Sequence, residues 1–241
     1  MSFRTTIAEG VLQFRGPATR WLATGPDGGY RNAPAAYNVS VPEGFDRTDL
    51  SAYVTERRER AGFEDSGPAL LTGVNLTHAC GARAGPVTVV ATAGLSNPAE
   101  LPMDPDEGVP KGDPRDDQAD RRVGTVNLLV GTERSLDDGA LATLLATAVE
   151  AKTATLHSAT GFTGTTSDAV VVGCDPEGDP AAFAGSGTDV GSATRACVRE
   201  AVRASLDSRY ADRSVPDSVG DAEHGVRTDR RATVFEPGDR E

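Results

Sequence analysis

Lysine is almost missing from this sequence. Only Lys111 and Lys152 are lysines among its 24 basic residues, against 36 acidic residues and a formal net charge of -12. The acidic residues are spread along the chain, which is typical of a protein from a high-salt interior, where a dense carboxylate surface keeps proteins hydrated. An ordinary acidic protein is the plainer interpretation. Either way, the composition argues against a nucleic-acid partner, because phosphate binding needs clustered Lys and Arg.

Long apolar runs, cysteine pairs and histidine clusters are missing as well. No run approaches the roughly 20 residues that span a bilayer, and the first residues lack a hydrophobic signal core. We therefore expect a cytoplasmic chain without membrane contact. The spacing of the cysteines predicts reduced, mostly buried thiols, and the histidines predict neither a metal site nor a Ser-His-Asp triad. The residues concerned are Cys80, Cys174 and Cys197, and His78, His157 and His224.

Hydrophobic periodicity predicts an α+β chain. The strand patterns, after an opening strand or hairpin within 3–16, lie at 18–24, 35–41, 69–74, 87–93, 123–130 and 169–173. The helical patterns lie at 50–61, from a cap at Ser135 through Leu156, and at about 190–208. Polar loops or turns are expected at 75–85, 94–98 and 175–180.

The order of these elements favours a single α+β domain with a mixed β-sheet and packed helices. Segments 18–24 and 35–41 are close enough to form an antiparallel pair, and 123–130 and 169–173 flank a helix as a crossover pair would. We place the domain at 1–208. Within it, 99–122 is expected to be a mobile insertion, and 209–241 is expected to be a disordered tail.

Lys152 stands on the apolar stripe of the main helix, four residues after Ala148 and seven after Leu145. One interpretation is a long stem packed on the core with its ammonium reaching water. The other is a buried ammonium, which needs a partner and is a candidate base, nucleophile or oxyanion partner. Asp168 comes directly before a buried strand. It is either a turn former or the carboxylate partner of Lys152, and such a pair can supply acid and base to amide hydrolysis.

Four glycine-rich polar patches lie at strand ends or helix starts, at 24–29, 94–98, 164–168 and 185–189. Each alone fits turn chemistry. Their recurrence beside buried strands suggests ligand-binding loops on a rigid sheet. None has the spacing of a dinucleotide or phosphate loop.

Several motifs in order resemble the adenosylcobinamide amidohydrolase family (CbiZ). They are Ala91-Thr92-Ala93-Gly94-Leu95-Ser96-Asn97-Pro98, Gly124-Thr125-Val126-Asn127, Glu150-Ala151-Lys152-Thr153-Ala154 and Thr163-Gly164-Thr165-Thr166-Ser167-Asp168. Leu22-Ala23-Thr24-Gly25, Ala36-Tyr37-Asn38 and the stretch 184–191 fit as well. The resemblance covers about 15–206. This sequence departs from the pattern at Pro26-Asp27, where an aromatic residue is expected, and at Thr166-Ser167, where a more glycine-rich loop is expected.

The resemblance implies hydrolysis of the amide that joins aminopropanol to the corrin ring of adenosylcobinamide, in corrinoid salvage. The partner is then a corrinoid whose own cobalt makes a protein cofactor unnecessary. The oligomeric state is open, with a homo-oligomer as one option.

The residue roles are our hypothesis. Lys152 and Asp168 form the acid/base pair, Asn127 and Asn97 polarise the substrate, and Thr125, Thr165 or Ser96 supplies a hydroxyl if catalysis is covalent. Residues expected at the substrate-binding surface are Thr24, Gly25, Asn38, Ser96, Asn97, Glu150, Thr188 and Asp189.

Two alternatives remain open. The first is a corrinoid- or nucleoside-binding protein without chemistry. The second is a self-processing N-terminal-nucleophile hydrolase, in which Thr125 is freed after Gly124.

Overall fold

The computed structural model describes residues 3–104, 125–222 and 224–238. Its strands are β1 (Arg4–Ala8), β2 (Val11–Ala23), β3 (Gly29–Ser40), β4 (Ala69–Thr72), β5 (Cys80–Ala84), β6 (Val87–Ala93), β7 (Pro98–Glu100), β8 (Val126–Thr132), β9 (Gly164–Thr165), β10 (Ala169–Cys174) and β11 (Val226–Arg227). Its α-helices are α1 (Leu50–Arg60), α2 (Asp138–Thr160) and α3 (Asp189–Arg209), and a 3-10 turn covers Leu76–His78. In the described ranges no helix has the length and apolar character needed to cross a membrane.

The main sheet has eight strands in the order β4-β3-β2-β10-β8-β6-β5, with β1 also paired to β2. β3 pairs in parallel with β4, and β8 pairs in parallel with β10. The other pairs are antiparallel. This mixed sheet with packed helices confirms the predicted single-domain α+β class. The antiparallel pair β2–β3 and the parallel pair around α2 are also those that the sequence predicted.

The two faces of the sheet carry different cores, because side chains alternate along each strand. On β8, Leu128 and Val130 pack under α2 and α3, whereas Leu129 packs on the inner face with Phe14 and Trp21. The sheet curls around this inner core. Its edge strand β4 therefore comes close to the turn after β2, where a Cβ added to Gly25 would lie 2.2 Å from the carbonyl oxygen of Ala69.

A small second sheet, in the order β11-β7-β9, lies beside the first. β7 pairs antiparallel with β9 and parallel with β11. The sequence analysis predicted none of these three strands, because segments of two or three residues carry no readable periodicity. Within the expected insertion, 105–122 lies outside the described residues. The domain boundaries, the mobile insertion and the disordered tail therefore stay predictions.

Two element predictions were wrong. The expected loop at 75–85 contains β5, which pairs with β6 from Cys80 to Ala84. This edge strand is formed by backbone pairing, and its glycine, alanine and arginine residues lack the apolar alternation that reveals a strand.

The second error concerns the start of the main helix. Asp137, not Ser135, is its N-cap and accepts a 2.7 Å hydrogen bond from Ala140 N. Ser135 instead bridges to Pro180, and the carboxylate of Asp138 binds Arg20. The predicted strand at 123–130 is observed from Val126 to Thr132, and residues 123 and 124 lie outside the described ranges.

Candidate active site

The carboxylate of Asp168 is the centre of a hydrogen-bonded cluster at the start of β10. Its Oδ2 accepts from Lys152 Nζ and, at 3.1 Å, from the backbone N–H of Thr165. Its Oδ1 accepts from the backbone N–H of Val126 at 2.9 Å and from the Thr165 hydroxyl at 2.5 Å. Four donors fill the acceptor capacity of a carboxylate. A proton that reaches this group must therefore come from one of these donors or displace it.

Lys152 reaches the cluster from α2 and is only 5% exposed. Its ammonium ends on Asp168 and not in water, so the structure brings together the two residues that the sequence analysis paired. The loop between them packs tightly. A Cβ added to Gly164 would lie 2.6 Å from Asp168 Oδ2 and 3.4 Å from Lys152 Nζ. Only glycine fits there without moving the ion pair.

Two threonine hydroxyls lie beside Asp168 in different settings. Thr165 Oγ1 is the donor to the carboxylate. Thr125 Oγ1 lies 2.7 Å from Asn127 Oδ1 and 3.0 Å from the carbonyl oxygen of Ser167. A hydroxyl has one proton, so Thr125 can donate to only one of these two acceptors at a time. Of the two hydroxyls, that of Thr165 is the one that donates its proton to a carboxylate.

Asn127 links strands that are not neighbours in the sheet. Its Nδ2 donates to Asn38 Oδ1 on β3 at 2.9 Å and to the carbonyl oxygen of Leu71 on β4 at 2.8 Å. Asn38 Nδ2 in turn donates to Thr92 Oγ1 on β6 at 3.0 Å. Both asparagines are fully buried. Both amide hydrogens of Asn127 are thus used inside the fold, where they join the closing edge of the curled sheet to its centre.

Asn97 and Ser96 lie at the corner between β6 and β7. Asn97 is buried, and its Nδ2 donates to Thr166 Oγ1 on the Asp168 loop. The backbone carbonyl oxygen of Asn97 accepts from Thr166 N at 3.1 Å. The Ser96 carbonyl oxygen accepts from His224 N at 3.2 Å. These contacts place Asn97 against the loop that carries Thr165, and Ser96 beside His224.

The end of α3 holds the same corner. Ser205 Oγ accepts from Ala93 N at 2.9 Å and donates to the carbonyl oxygen of His78 at 2.7 Å. Tyr210 Oη accepts from Leu95 N at 2.8 Å. The sequence analysis missed these contributors and also Thr92, because none of them lies in a pattern that distinguishes it from an ordinary helix or strand residue.

The expected substrate-binding residues separate into near and far groups. Thr24 lies near the cluster, since its Oγ1 accepts from Val170 N at 2.9 Å, and Gly25 follows it. Glu150 is exposed on α2 and pairs with Arg195 at 3.3 Å.

Thr188 and Asp189 lie far from the cluster. They begin α3 beside the Gly85 turn that precedes β6, where a Cβ on Gly85 would be 3.9 Å from Asp189 Oδ1. The opposite end of α3 is the one that reaches Ala93. A helix of this length spans about 30 Å, so the structure does not bring Thr188 and Asp189 to Asp168.

The thiols and the metal-ligating side chains offer no second reactive centre among the described residues. Burial raises the pKa of the Cys80 thiol, and the charge of Asp207 raises it further, whereas a nucleophilic thiol needs a lowered pKa. In the ranges that the structure describes, no group of three or more His, Cys, Asp or Glu could hold a metal ion.

Comparison with known proteins agrees with these motifs. A family model described as adenosylcobinamide amidohydrolase matches residues 4–214. A protein of Halobacterium salinarum named adenosylcobinamide amidohydrolase is 55% identical over 237 residues, which cover 98% of this chain and 100% of that protein. A protein of Methanosarcina mazei with the same name is 27% identical over 198 residues, covering 78% and 90%. The first relative comes from a halophile, which fits the acidic, lysine-poor composition.

Proposed function

We propose that this chain, which belongs to the adenosylcobinamide amidohydrolase family, hydrolyses the aminopropanol amide of adenosylcobinamide. The products are adenosylcobyric acid and 1-amino-2-propanol, in corrinoid salvage for cobalamin synthesis. The observation that carries the proposal is the 55% identity along nearly the whole length of a protein named for this activity. The cobalt is part of the substrate, and we propose no cofactor of the protein's own. The cytoplasmic location of the protein and its assembly into a homo-oligomer stay predictions.

The cluster around Asp168 supports the chemistry that this reaction needs. An amide resists hydrolysis because its carbonyl carbon is a poor electrophile and its amine leaves poorly unless protonated. The Thr165 hydroxyl, 2.5 Å from Asp168 Oδ1, is a nucleophile with a base beside it. Lys152 pairs with the other carboxylate oxygen, and this contact holds Asp168 with its Oδ1 toward the Thr165 hydroxyl.

The proposed reaction then has two halves. Thr165 Oγ attacks the amide carbonyl carbon while its proton passes to Asp168 Oδ1. The same proton goes to the amine nitrogen as the C–N bond breaks, which releases 1-amino-2-propanol and leaves an ester on Thr165. A water molecule hydrolyses this ester, and Asp168 carries its proton back to Oγ. The sum consumes one water and yields one acid and one amine.

The remaining candidates support this centre in different ways. Asn97 is the proposed polarising group, because one of its amide hydrogens makes a long contact, 3.5 Å to Ser167 Oγ, which a substrate carbonyl oxygen can replace. Asn127 uses both its amide hydrogens within the fold, so we propose that it acts on Thr125 and not on the substrate. Thr24, whose hydroxyl oxygen accepts from Val170 N near the start of β10, is a proposed substrate contact.

The first experiment is incubation of the purified protein with adenosylcobinamide in high salt, followed by mass spectrometry of the corrinoid. We expect the free acid and released aminopropanol.

Hydroxylamine added during turnover should trap part of the product as a hydroxamate if an ester forms on Thr165. Thr165→Val should lower kcat by about 10³-fold. Thr143→Val, on the exposed face of α2, is the matched control and should retain activity.

Each alternative has its own signature in this experiment. Unchanged substrate that co-elutes with folded protein would replace the hydrolase by a binding protein. Two fragments on a denaturing gel, with the second starting at Thr125, would indicate self-processing. Free acid without any hydroxamate would remove the covalent step and leave Thr165 and Asp168 to activate water directly.

A further inference from the structure

Residues 215–222 and 224–228, called here the C-terminal segment, follow α3 and lie beyond the 4–214 range that the family model matches. We infer that this segment positions Thr165 for catalysis. The inference rests on the proposed function. It assigns a role in the active site to a part of the chain for which the sequence predicts only a disordered tail.

The segment folds back onto the domain. Val215 and Val219 pack against the core under α3. A Cβ added to Gly225 would lie 2.3 Å from the carbonyl oxygen of Val219, so the chain turns tightly at this point. This turn directs His224 toward the corner that carries Ser96.

From there the segment pairs along β7. His224 N donates to the Ser96 carbonyl oxygen at 3.2 Å, and Thr228 N donates to the Glu100 carbonyl oxygen at 3.0 Å. Between them β11 runs parallel to β7, with Val226 opposite Ala99 and Arg227 opposite Glu100. These contacts bind one whole edge of β7.

The other edge of β7 holds the nucleophile. Pro98 is opposite Thr165 and Ala99 is opposite Gly164 in the pairing of β7 with β9, and Thr163 N donates to the Ala99 carbonyl oxygen at 3.0 Å. A two-stranded ribbon of two and three residues is marginal by itself. The third strand, β11, therefore stabilises β7 along its second edge, and β7 in turn positions the strand that carries the Thr165 hydroxyl.

The test compares chains that differ only in this third strand. A chain ending at Ala222 removes β11, whereas a chain ending at Asp229 retains it and is the control. Displacement of a reacting group by about 1 Å can lower a rate by about 10²-fold. We expect the shorter chain to lose at least about tenfold in kcat while KM for adenosylcobinamide and the melting temperature change little, because the core clusters are untouched.

Point variants keep the test decisive if the shorter chain does not fold. Thr228→Pro removes the N–H that donates to Glu100, and Thr228→Ala retains it. We expect the proline variant to lower kcat by about fivefold or more, and the alanine variant to behave as the unaltered chain. Ala232→Pro, in the exposed stretch after β11, should have no effect.

The outcomes separate the two proposals. An inactive full-length chain would overturn the proposed function and this inference together. In another outcome, the full-length chain is active, while the chain ending at Ala222 and the Thr228→Pro variant have the same kcat as their controls. This result would overturn the inference alone. If kcat falls only in variants whose melting temperature also falls, the segment contributes to stability. That result would overturn its role in positioning Thr165.

Discussion

Lys152 Nζ and Asp168 Oδ2 form an ion pair that joins α2 to the start of β10, with side chains only 7% and 12% exposed. The two residues are 16 positions apart in the chain, and the loop between them contains Thr165. Because the pair is nearly dry, dissolved salt screens it far less than it screens surface charges. The pair can therefore stabilise the contact between α2 and the start of β10 in the high-salt interior that the composition indicates.

Lys152→Met should lower the free energy of unfolding by about 3–5 kcal/mol, since it leaves a buried carboxylate without its counter-charge. The double variant with Asp168→Asn should regain part of this stability without regaining activity. Denaturant titration in high salt measures the stability, and the two single variants with the double variant form a cycle. A Lys152→Met protein as stable and active as the original would contradict the role of the pair.

Asn127→Asp should destabilise the protein by about 3 kcal/mol, because it turns a donor that faces Asn38 Oδ1 and the Leu71 carbonyl into an acceptor. Burial raises the pKa of the introduced carboxyl above its unfolded value. Its neutral form then supports the fold at low pH, and stability is lost as pH rises through the folded pKa. Denaturation at pH 4 and pH 7 should show the larger loss at pH 7. Asn75→Asp is the matched control, since Asn75 is exposed and accepts from Thr77 N.

Gly25→Ala should destabilise the protein by about 2 kcal/mol or more. The added Cβ would lie 2.2 Å from the Ala69 carbonyl oxygen and 2.9 Å from Leu70 Cδ2, so β4 must move away from the turn after β2. Gly187→Ala is the control, because no atom lies within 4 Å of the Cβ it would add. Thermal unfolding of both variants measures the difference, and equal melting temperatures would mean that β4 does not close the sheet this tightly.

Stability should decline above about pH 9. Burial raises the pKa of the Cys174 and Cys197 thiols above their ordinary value of 9.0. The unfolded chain then loses these protons at lower pH than the folded chain, so the stabilisation is present below pH 9 and is lost as pH rises. Each thiol can contribute a slope of up to about 1.4 kcal/mol per pH unit. Urea titrations at pH 8 and pH 10 measure the slope, and Cys174→Val should reduce it. A stability that is the same at both pH values would refute this account.

The sequence predicts the centre of the site because local patterns determine it. Lys152 lies on a readable apolar stripe, and Asp168 begins the strand that follows the same helix, so consecutive elements were enough to pair them. Which end of α3 faces the site depends on the direction in which the helix crosses the sheet, and no local pattern encodes that. For this reason the sequence analysis placed Thr188 and Asp189, at the start of α3, among the substrate-binding residues, although the site lies near the end of α3.

Contacts between distant strands were also beyond the sequence analysis. Asn38 meets Asn127 only because the sheet curls until β3 lies against β8, and a single polar residue inside a strand does not show its partner. The strand β5 and the short strands β7, β9 and β11 depend on backbone hydrogen bonds. Backbone bonding is the same for every residue type, so it leaves little trace in the sequence.

The pairing of β2 with β10 has a consequence for how the protein is made. Ala23 lies opposite Val171 in the middle of the sheet. The strand β2 therefore leaves the ribosome long before its partner β10 has been synthesised. At about 5–20 residues per second this delay is roughly 7–30 s. During that time the nascent chain exposes a long hairpin with an unpaired edge, and such edges attract other chains. Newly made copies should therefore depend on chaperones, or on slow translation, more strongly than the stability of the finished protein would suggest.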